Sequence, residues 1–383
     1  MPAAYFDHNA TTPVDPRVAR EMSRWLGAHH GNPSSIHAFG QRARDAVEAA
    51  RAQVGRLLNA APPEIVFTAS GTEANNTVLR TIALERHGQG HLVVSGVEHP
   101  SVEETAKSLE AGGMEVSWVP PDREGRIEVQ SMIAAIREDT SLVCLVLANN
   151  VVGTLQPVAE VASACRRLDV PMLCDAVQAV GKIPVHVDEL GVDYLTLGAH
   201  KFYGPLGAAA LFVAKGCALM PLLVGGSQER HRRAGTENVP AIAGMGKAAE
   251  LARLEQQERD SHVRSLRGRF EAGLSAIPDV VIHGAGAERL GNTSHVAFLG
   301  VDNQSLLIRL DLAGFAVSAG AACSSGTVEP SGTLWAMGVS REEALSSIRV
   351  SFGRANSSAE IDGFLEALRQ QVEELRQLTG SAP

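Results

Sequence analysis

The chain has 383 residues, of which 45% are hydrophobic and 20% charged, and its formal net charge is −9. That length allows two or three domain-sized units around a sizeable core, while the acidic balance speaks against a general nucleic-acid or anionic-membrane surface. Aromatics at 4% beside 37 glycines suit a large α/β enzyme better than a β-sandwich or an aromatic nucleic-acid platform.

From about residue 60 to 215 strand and helix patterns alternate. Glu64 to Thr68 reads as a strand, Thr72 to Arg86 as a helix closed by Gly88, and His91 to Val97 as a strand. A helix from Ser101 to Glu110 ends at Gly112-Gly113, and Glu115 to Val119 and Leu142 to Ala148 are apolar strands. Pro157 opens a helix to Leu168, proline being favoured in a first turn. Met172 to Cys174, Tyr194 to Leu197 and Gly207 to Val213 complete the set of strands. Such alternation predicts a mostly parallel sheet with helices on both faces.

A charged helix over roughly Ile242 to Ala276 links this unit to a second one. There the pattern predicts strands at Val280 to His283 and Thr293 to Phe298 and a helix around Gln304 to Leu312. A strand pair, Ala316 to Ser318 with Ile348 to Phe352, and a last helix from Glu360 to Leu378 follow. The expected domains are a large one over 15–255 and a small α+β one built from 1–14 and 256–383.

No apolar run reaches about 18 residues, and the start carries no charged region before an apolar stretch, so neither a membrane span nor export is expected. The five cysteines (Cys144, Cys165, Cys174, Cys217, Cys323) form no C-x-x-C pair or metal-like spacing, which fits a reducing, cytoplasmic setting and no metal. Nucleotide, zinc-protease and serine-hydrolase motifs are absent. In an open parallel sheet, ligands bind outside the carboxyl ends of the strands, so polar residues just after strands carry the interest.

Five places qualify. Ser70-Gly71-Thr72-Glu73 stands between a strand and a helix, where Gly71 permits close approach and the helix end offers N–H groups to a phosphate; a plain cap by Thr72 is the alternative. Glu98-His99-Pro100 follows a strand, and His99 is suited to stack on a ring, shuttle protons or cap the helix. Asn149-Asn150 offers amides to a ring oxygen. Asp175 of Asp175-Ala-Val-Gln178 ends an apolar strand and needs a cation, either a pyridinium or a structural Arg or Lys. Lys201, after Ala199-His200, is either an exposed loop lysine or a desolvated one able to form a Schiff base. Together a phosphate cradle, a carboxylate for a ring nitrogen, amides for a ring oxygen and an amine for an aldehyde describe pyridoxal 5'-phosphate (PLP).

At this point the chain resembles the cysteine desulfurases of the nitrogen-fixation and iron–sulfur-cluster type, class-V aminotransferases of fold-type I. The landmarks run from Phe6-Asp-His-Asn-Ala-Thr-Thr-Pro13 through Gly31-Asn-Pro-Ser-Ser35, Val97-Glu-His-Pro100 and His200-Lys-Phe-Tyr-Gly-Pro205. Arg233-Ala-Gly-Thr-Glu-Asn238, Ser318-Ala-Gly-Ala-Ala-Cys-Ser-Ser325 and Ile348-Arg-Val-Ser-Phe352 complete them. The resemblance implies that Lys201 holds PLP and moves protons, Asp175 pairs with the ring nitrogen, Gln178 bonds the ring hydroxyl, and His99 stacks and acts in acid–base steps. It implies that Gly71, Thr72 and His200 hold the phosphate with Thr236 of the partner subunit in a homodimer. Asn150 would touch cofactor and substrate, Asn32 the substrate, and Arg349 the substrate carboxylate.

Cys323 lies in a run of small residues that predicts a mobile loop, unlike the strand positions of Cys144 and Cys174 or the helical Cys165, which read as inert. The resemblance makes Cys323 the thiolate that takes sulfur from L-cysteine as a persulfide, leaves alanine, and passes the sulfur to a scaffold or thiolation enzyme. The sequence departs from the family at Val151, where an acidic residue is usual, at Gly198, where a hydroxyl is usual, and at Trp335 in Leu334-Trp-Ala-Met337. These departures keep two alternatives open. One is a selenocysteine lyase or pathway-specific sulfur donor on the same fold; the other is a non-catalytic partner protein.

Overall fold

The computed structural model describes residues 4–320 and 331–379. The chain opens with β1 (Ala4–Tyr5), α1 (Pro16–Leu26) and α2 (Ala38–Leu58). Alternation then begins with β2 (Ile65–Thr68), α3 (Gly71–Glu85), β3 (His91–Ser95), α4 (Pro100–Ala111) and β4 (Glu115–Val119). It continues through α5 (Val129–Ala134), β5 (Thr140–Cys144), α6 (Val158–Arg167), β6 (Met172–Asp175), α7 (Val187–Leu190), β7 (Tyr194–Gly198) and β8 (Ala209–Val213). The long α8 (Val239–Gly273) leads to β9 (Val280–His283), β10 (Thr293–Phe298), α9 (Asn303–Leu312) and β11 (Phe315–Ala316). The chain then forms α10 (Gly332–Ala336), α11 (Arg341–Leu345), β12 (Ser347–Ser351) and α12 (Ser358–Thr379).

A seven-stranded sheet has the order β2-β8-β7-β6-β5-β3-β4, and only β8 runs against its neighbours. Every residue of β3, β5, β6, β7 and β8 is buried, as expected for strands covered on both faces. Successive side chains enter opposite cores: Leu92 and Val94 pack with α3 and α4, while Val93 packs with α2 and α8. Cys144, Cys165 and Cys174 lie inside these layers, and burial pushes their thiols up, to about 11 for Cys165. They are inert packing residues.

The second unit is a three-stranded antiparallel sheet, β12-β10-β9, packed on α9, α12 and the far end of α8. Its core includes Phe6, Phe270, Phe298, Phe352 and Phe364. The first half of α8 belongs to the large core, through residues such as Met245 and Ala249, and the second half to this one, through Leu266 and Phe270. Phe6 brings the N-terminal segment into the same cluster, so that β1 pairs in parallel with β11. The expected pairing of residues 316–318 with 348–352 is therefore corrected. Only the bridge between Ser318 and Arg349 joins them, and β12 takes β10 as its ladder partner. Among the described residues no helix is long and apolar enough to cross a membrane.

A buried ion pair anchors the segment that precedes α8. Arg51 of α2 meets Glu229 through two 2.7 Å hydrogen bonds, and Glu229 also accepts from the Phe67 N–H of β2. Glu229, Arg230 and His231 all have positive φ, a conformation the ion pair and the β2 contact hold in place. Glu229→Ala would strand the Arg51 guanidinium in the core. A loss of about 3–5 kcal/mol is expected in denaturant unfolding, with a smaller loss when Arg51→Met is combined with it.

Candidate active site

The carboxyl ends of β2, β3, β5, β6 and β7 open on one cavity of about 370 Å³, closed on its far side by Ser318, Gly320 and Arg349. Gly71, Thr72, His99, Asn150, Asp175, Gln178, His200 and Lys201 all line it. The strand-end rule thus picks out residues that tertiary structure brings together.

At one end α3 begins. Its N-cap is Ser70, whose side chain accepts from the Glu73 N–H, rather than Thr72, because the helix already starts at Gly71. A Cβ at Gly71 would come within 2.9 Å of Val177, so the close approach of helix and β6 loop needs glycine. Thr72 and the helix end face the cavity together with His200. Burial pushes His200 down to about 4, which leaves it a neutral ring. A Cβ at Gly198 would meet His200 and Val177 no closer than 3.4 Å, so a side chain has room there.

The middle of the cavity holds Asp175, His99, Gln178 and Lys201. Asp175 is buried and accepts from the Val177 N–H and from Asn75 Nδ2, but no Arg or Lys forms an ion pair with it among the described residues. The reading of Asp175 as half of a structural salt bridge therefore fails. Lys201 is no exposed loop lysine. Burial, and then the Arg349 charge, push its amine down to about 8, and Nζ donates to the Asn9 and Ala10 carbonyls at 2.6 and 2.7 Å. His99 caps α4, with Nδ1 accepting from the Ser101 N–H, while its ring lines the cavity. Beneath it, Glu98 is pushed up to about 8 by burial, although Ser95 Oγ and the Val146 N–H donate to it.

At the other end Arg349 of β12 is gripped by Asp7 at 2.7 Å and by the Asn150 carbonyl at 2.9 Å. Among the described residues its buried Nε has no partner. Asn149 shapes the turn beside it, accepting from the Val151 and Val152 N–H groups. Val151 packs with Val152, Leu334, Met337 and Ala344, an apolar cluster that accommodates valine and would penalise a carboxylate. Asn32 and Thr236 are exposed and do not line this cavity. Cys323 lies outside the described residues.

Several residues here had no role assigned from the sequence. Asn9, from the segment before α1, bonds Gln178, Lys182 and Lys201. Lys182, four residues beyond Gln178, is partly buried and donates to the Gln178 Oε1, while the Gln178 Nε2 donates to the Asn9 carbonyl. Asn75 and Ser101 sit behind Asp175 and His99. Asn9 lay within the Phe6 to Pro13 landmark and Lys182 four residues beyond Gln178, but neither position by itself says what the side chain would bond.

The donor set suits PLP: a helix end for a phosphate, a buried carboxylate lacking a cation, an amide and a desolvated amine in one cavity. The aminotransferase class-V family model matches residues 4–364. The chain is 42% identical over 377 residues to the cysteine desulfurase IscS of Dictyoglomus turgidum, covering 98% of this chain and 96% of that one. It is 40% identical over 382 residues to the cysteine desulfurase IscS of Methanosarcina thermophila, covering 100% and 95%. A solved NifS-like protein superposes with a TM-score of 0.92 at 36% identity, covering 97% of this chain and all of that one.

A neutral amine is the form that attacks an aldehyde. With Lys201 at about 8, capture of added PLP by the cofactor-free protein should accelerate with pH and level off above about pH 8. An ordinary lysine would carry the rise to about 10.4. The rate of the absorbance change on mixing measures it.

Proposed function

The chain belongs to the aminotransferase class-V family and is a cysteine desulfurase, and we propose that it works through PLP held by Lys201, with Cys323 as the sulfur acceptor. The observation that carries the assignment of roles is the desolvated Lys201 amine facing Asp175 across a single cavity. Thr72, Gly71 and His200 would hold the phosphate, with Thr236 of the partner subunit in a homodimer. Asp175 would hold the proton on the ring nitrogen, and Gln178 and Asn150 would address the ring oxygen. When bound, PLP supplies an electron sink for negative charge at the substrate α-carbon.

Arg349 binds the carboxylate of L-cysteine, preset by its contacts to Asp7 and Asn150. Asn32 is assigned to the substrate as well. Lys201 Nζ takes the α-proton and returns one. The Cys323 thiolate attacks the substrate sulfur; the carbon–sulfur bond breaks, carbon keeps the electron pair and gains a proton, and L-alanine leaves. The sulfur stays on Cys323 as a persulfide until a protein acceptor, a scaffold or thiolation enzyme in the cytoplasm, takes it.

Alanine and sulfide formed from L-cysteine with a reductant test this reading. Wild type is expected to make both in equal amounts, and Cys323→Ala to make neither while it retains PLP. A wild-type protein that binds PLP and makes neither product overturns it. Arg349→Gln should raise KM for L-cysteine by about 10- to 100-fold, the worth of a charge-assisted bond, while PLP stays bound.

A further inference from the structure

We infer that His99 serves as a fixed, neutral hydrogen-bond donor at Nε2, locked in that tautomer by the Ser101 N–H and tied to Asp175 through Ser101 and Asn75. This rests on the reading of the cavity as the PLP site, but every part of the lock belongs to the chain itself.

The lock begins with a group that can only donate. The Ser101 backbone N–H points at His99 Nδ1 at 3.1 Å, so Nδ1 must present its lone pair. Ser101 Oγ lies 2.9 Å from the same nitrogen. Asn75 Nδ2 stands 2.8 Å from Ser101 Oγ and 2.8 Å from Asp175 Oδ2, one hydrogen for each. The opposite amide orientation would set Oδ1 against the carboxylate. Because Asn75 donates to Ser101 Oγ, the hydroxyl hydrogen is left for His99 Nδ1. Two donors therefore converge on Nδ1, and the ring proton sits on Nε2, on the cavity side.

An imidazolium would set an N–H at Nδ1 against the Ser101 backbone N–H, which cannot accept, and would force the Ser101 hydroxyl to turn from donor to acceptor. Its charge would also fall at the N-terminus of α4, where the helix dipole opposes a cation. Among the groups that face the ring, Asp175 favours a proton, while Lys201 and burial oppose it, burial most strongly. Arg349 across the cavity adds positive charge, and Glu98 beneath is a buried acid pushed up to about 8. The histidine thus offers an N–H to the cofactor or substrate but no free lone pair toward the cavity. Proton transfer falls to Lys201. Ser101 and Asn75 are positioning residues that act through His99 and Asp175.

Ring nitrogen NMR of the histidine-labelled holoenzyme reads the tautomer without turnover, with His99→Gln used to assign the signal. His99 is expected to show a protonated Nε2 and a bare Nδ1, unchanged as the pH falls from about 8 through the ordinary histidine value of about 6.5. A proton on Nδ1, or titration within that range, overturns the inference. Turnover gives a second reading. Glutamine places a non-titrating N–H near the Nε2 position, so His99→Gln should keep kcat within about tenfold of wild type, whereas His99→Ala should lose about 100-fold or more. Equal loss in both variants would show an acid–base role and sink the proposal. In Ser101→Ala the backbone lock remains, so the tautomer should persist with kcat down about fivefold and an unshifted pH profile; a changed tautomer there also counts against it. A protein inactive on L-cysteine would overturn the desulfurase reading, and the ring spectrum would still decide the tautomer.

Discussion

Asn9 is the junction on which the site depends. It is 1% exposed, and each of its polar atoms has a partner from a different part of the chain. Its N–H donates to Ser351 of β12, and its carbonyl accepts from Gln178 and Lys201. Its Oδ1 accepts from Lys182 and Asn292, and its Nδ2 donates to Thr293 and the Asn150 carbonyl. A buried amide is costly unless satisfied, so this one residue fixes the relative placement of both sheets and the N-terminal segment. The amine, the amide and the Asn150 turn are aligned through it.

That junction also governs the charges. Lys201, Lys182 and Arg349 approach one another in a region poor in water, and each lysine lowers the affinity of the other's neighbourhood for protons. Among the described residues Asp7 and Asp175 offset this charge. Asp7 serves Arg349, while Asp175 has no ion partner among the described residues. A desolvated amine beside a carboxylate without an ion partner among the described residues is the chemistry that a ligand with an aldehyde and a basic ring nitrogen would suit. The same polar shell runs through Ser101, at the cavity wall, to the buried Asn75, and these side chains bear on what His99 can do.

Strands β3, β5, β6 and β7 were legible because strands buried on both faces read as continuous apolar runs, and the polar residue that ends each run is conspicuous. This is why His99, Asn150, Asp175 and Lys201 could be picked out before any geometry was known. Helices α1 and α2 escaped notice: α2 carries six alanines among its arginines and buries several small residues rather than a bold apolar stripe. The partner of β11 was misjudged because a two-residue strand has no periodicity, and Phe6, far away in sequence, decides where it lies.

The sequence alone therefore determined the α/β class, the edge of the sheet where chemistry gathers, and the residue types available there, because these follow from local periodicity and from the end of each strand. The tertiary structure decided what those residues are. It made Lys201 a desolvated amine, left Asp175 without an ion partner among the described residues, and brought Asn75 between Ser101 and Asp175. Protonation depends on water exclusion and on groups far apart in the chain, as Asn9 and Lys201 are. No local pattern records such distances; only the folded chain brings them below 3 Å.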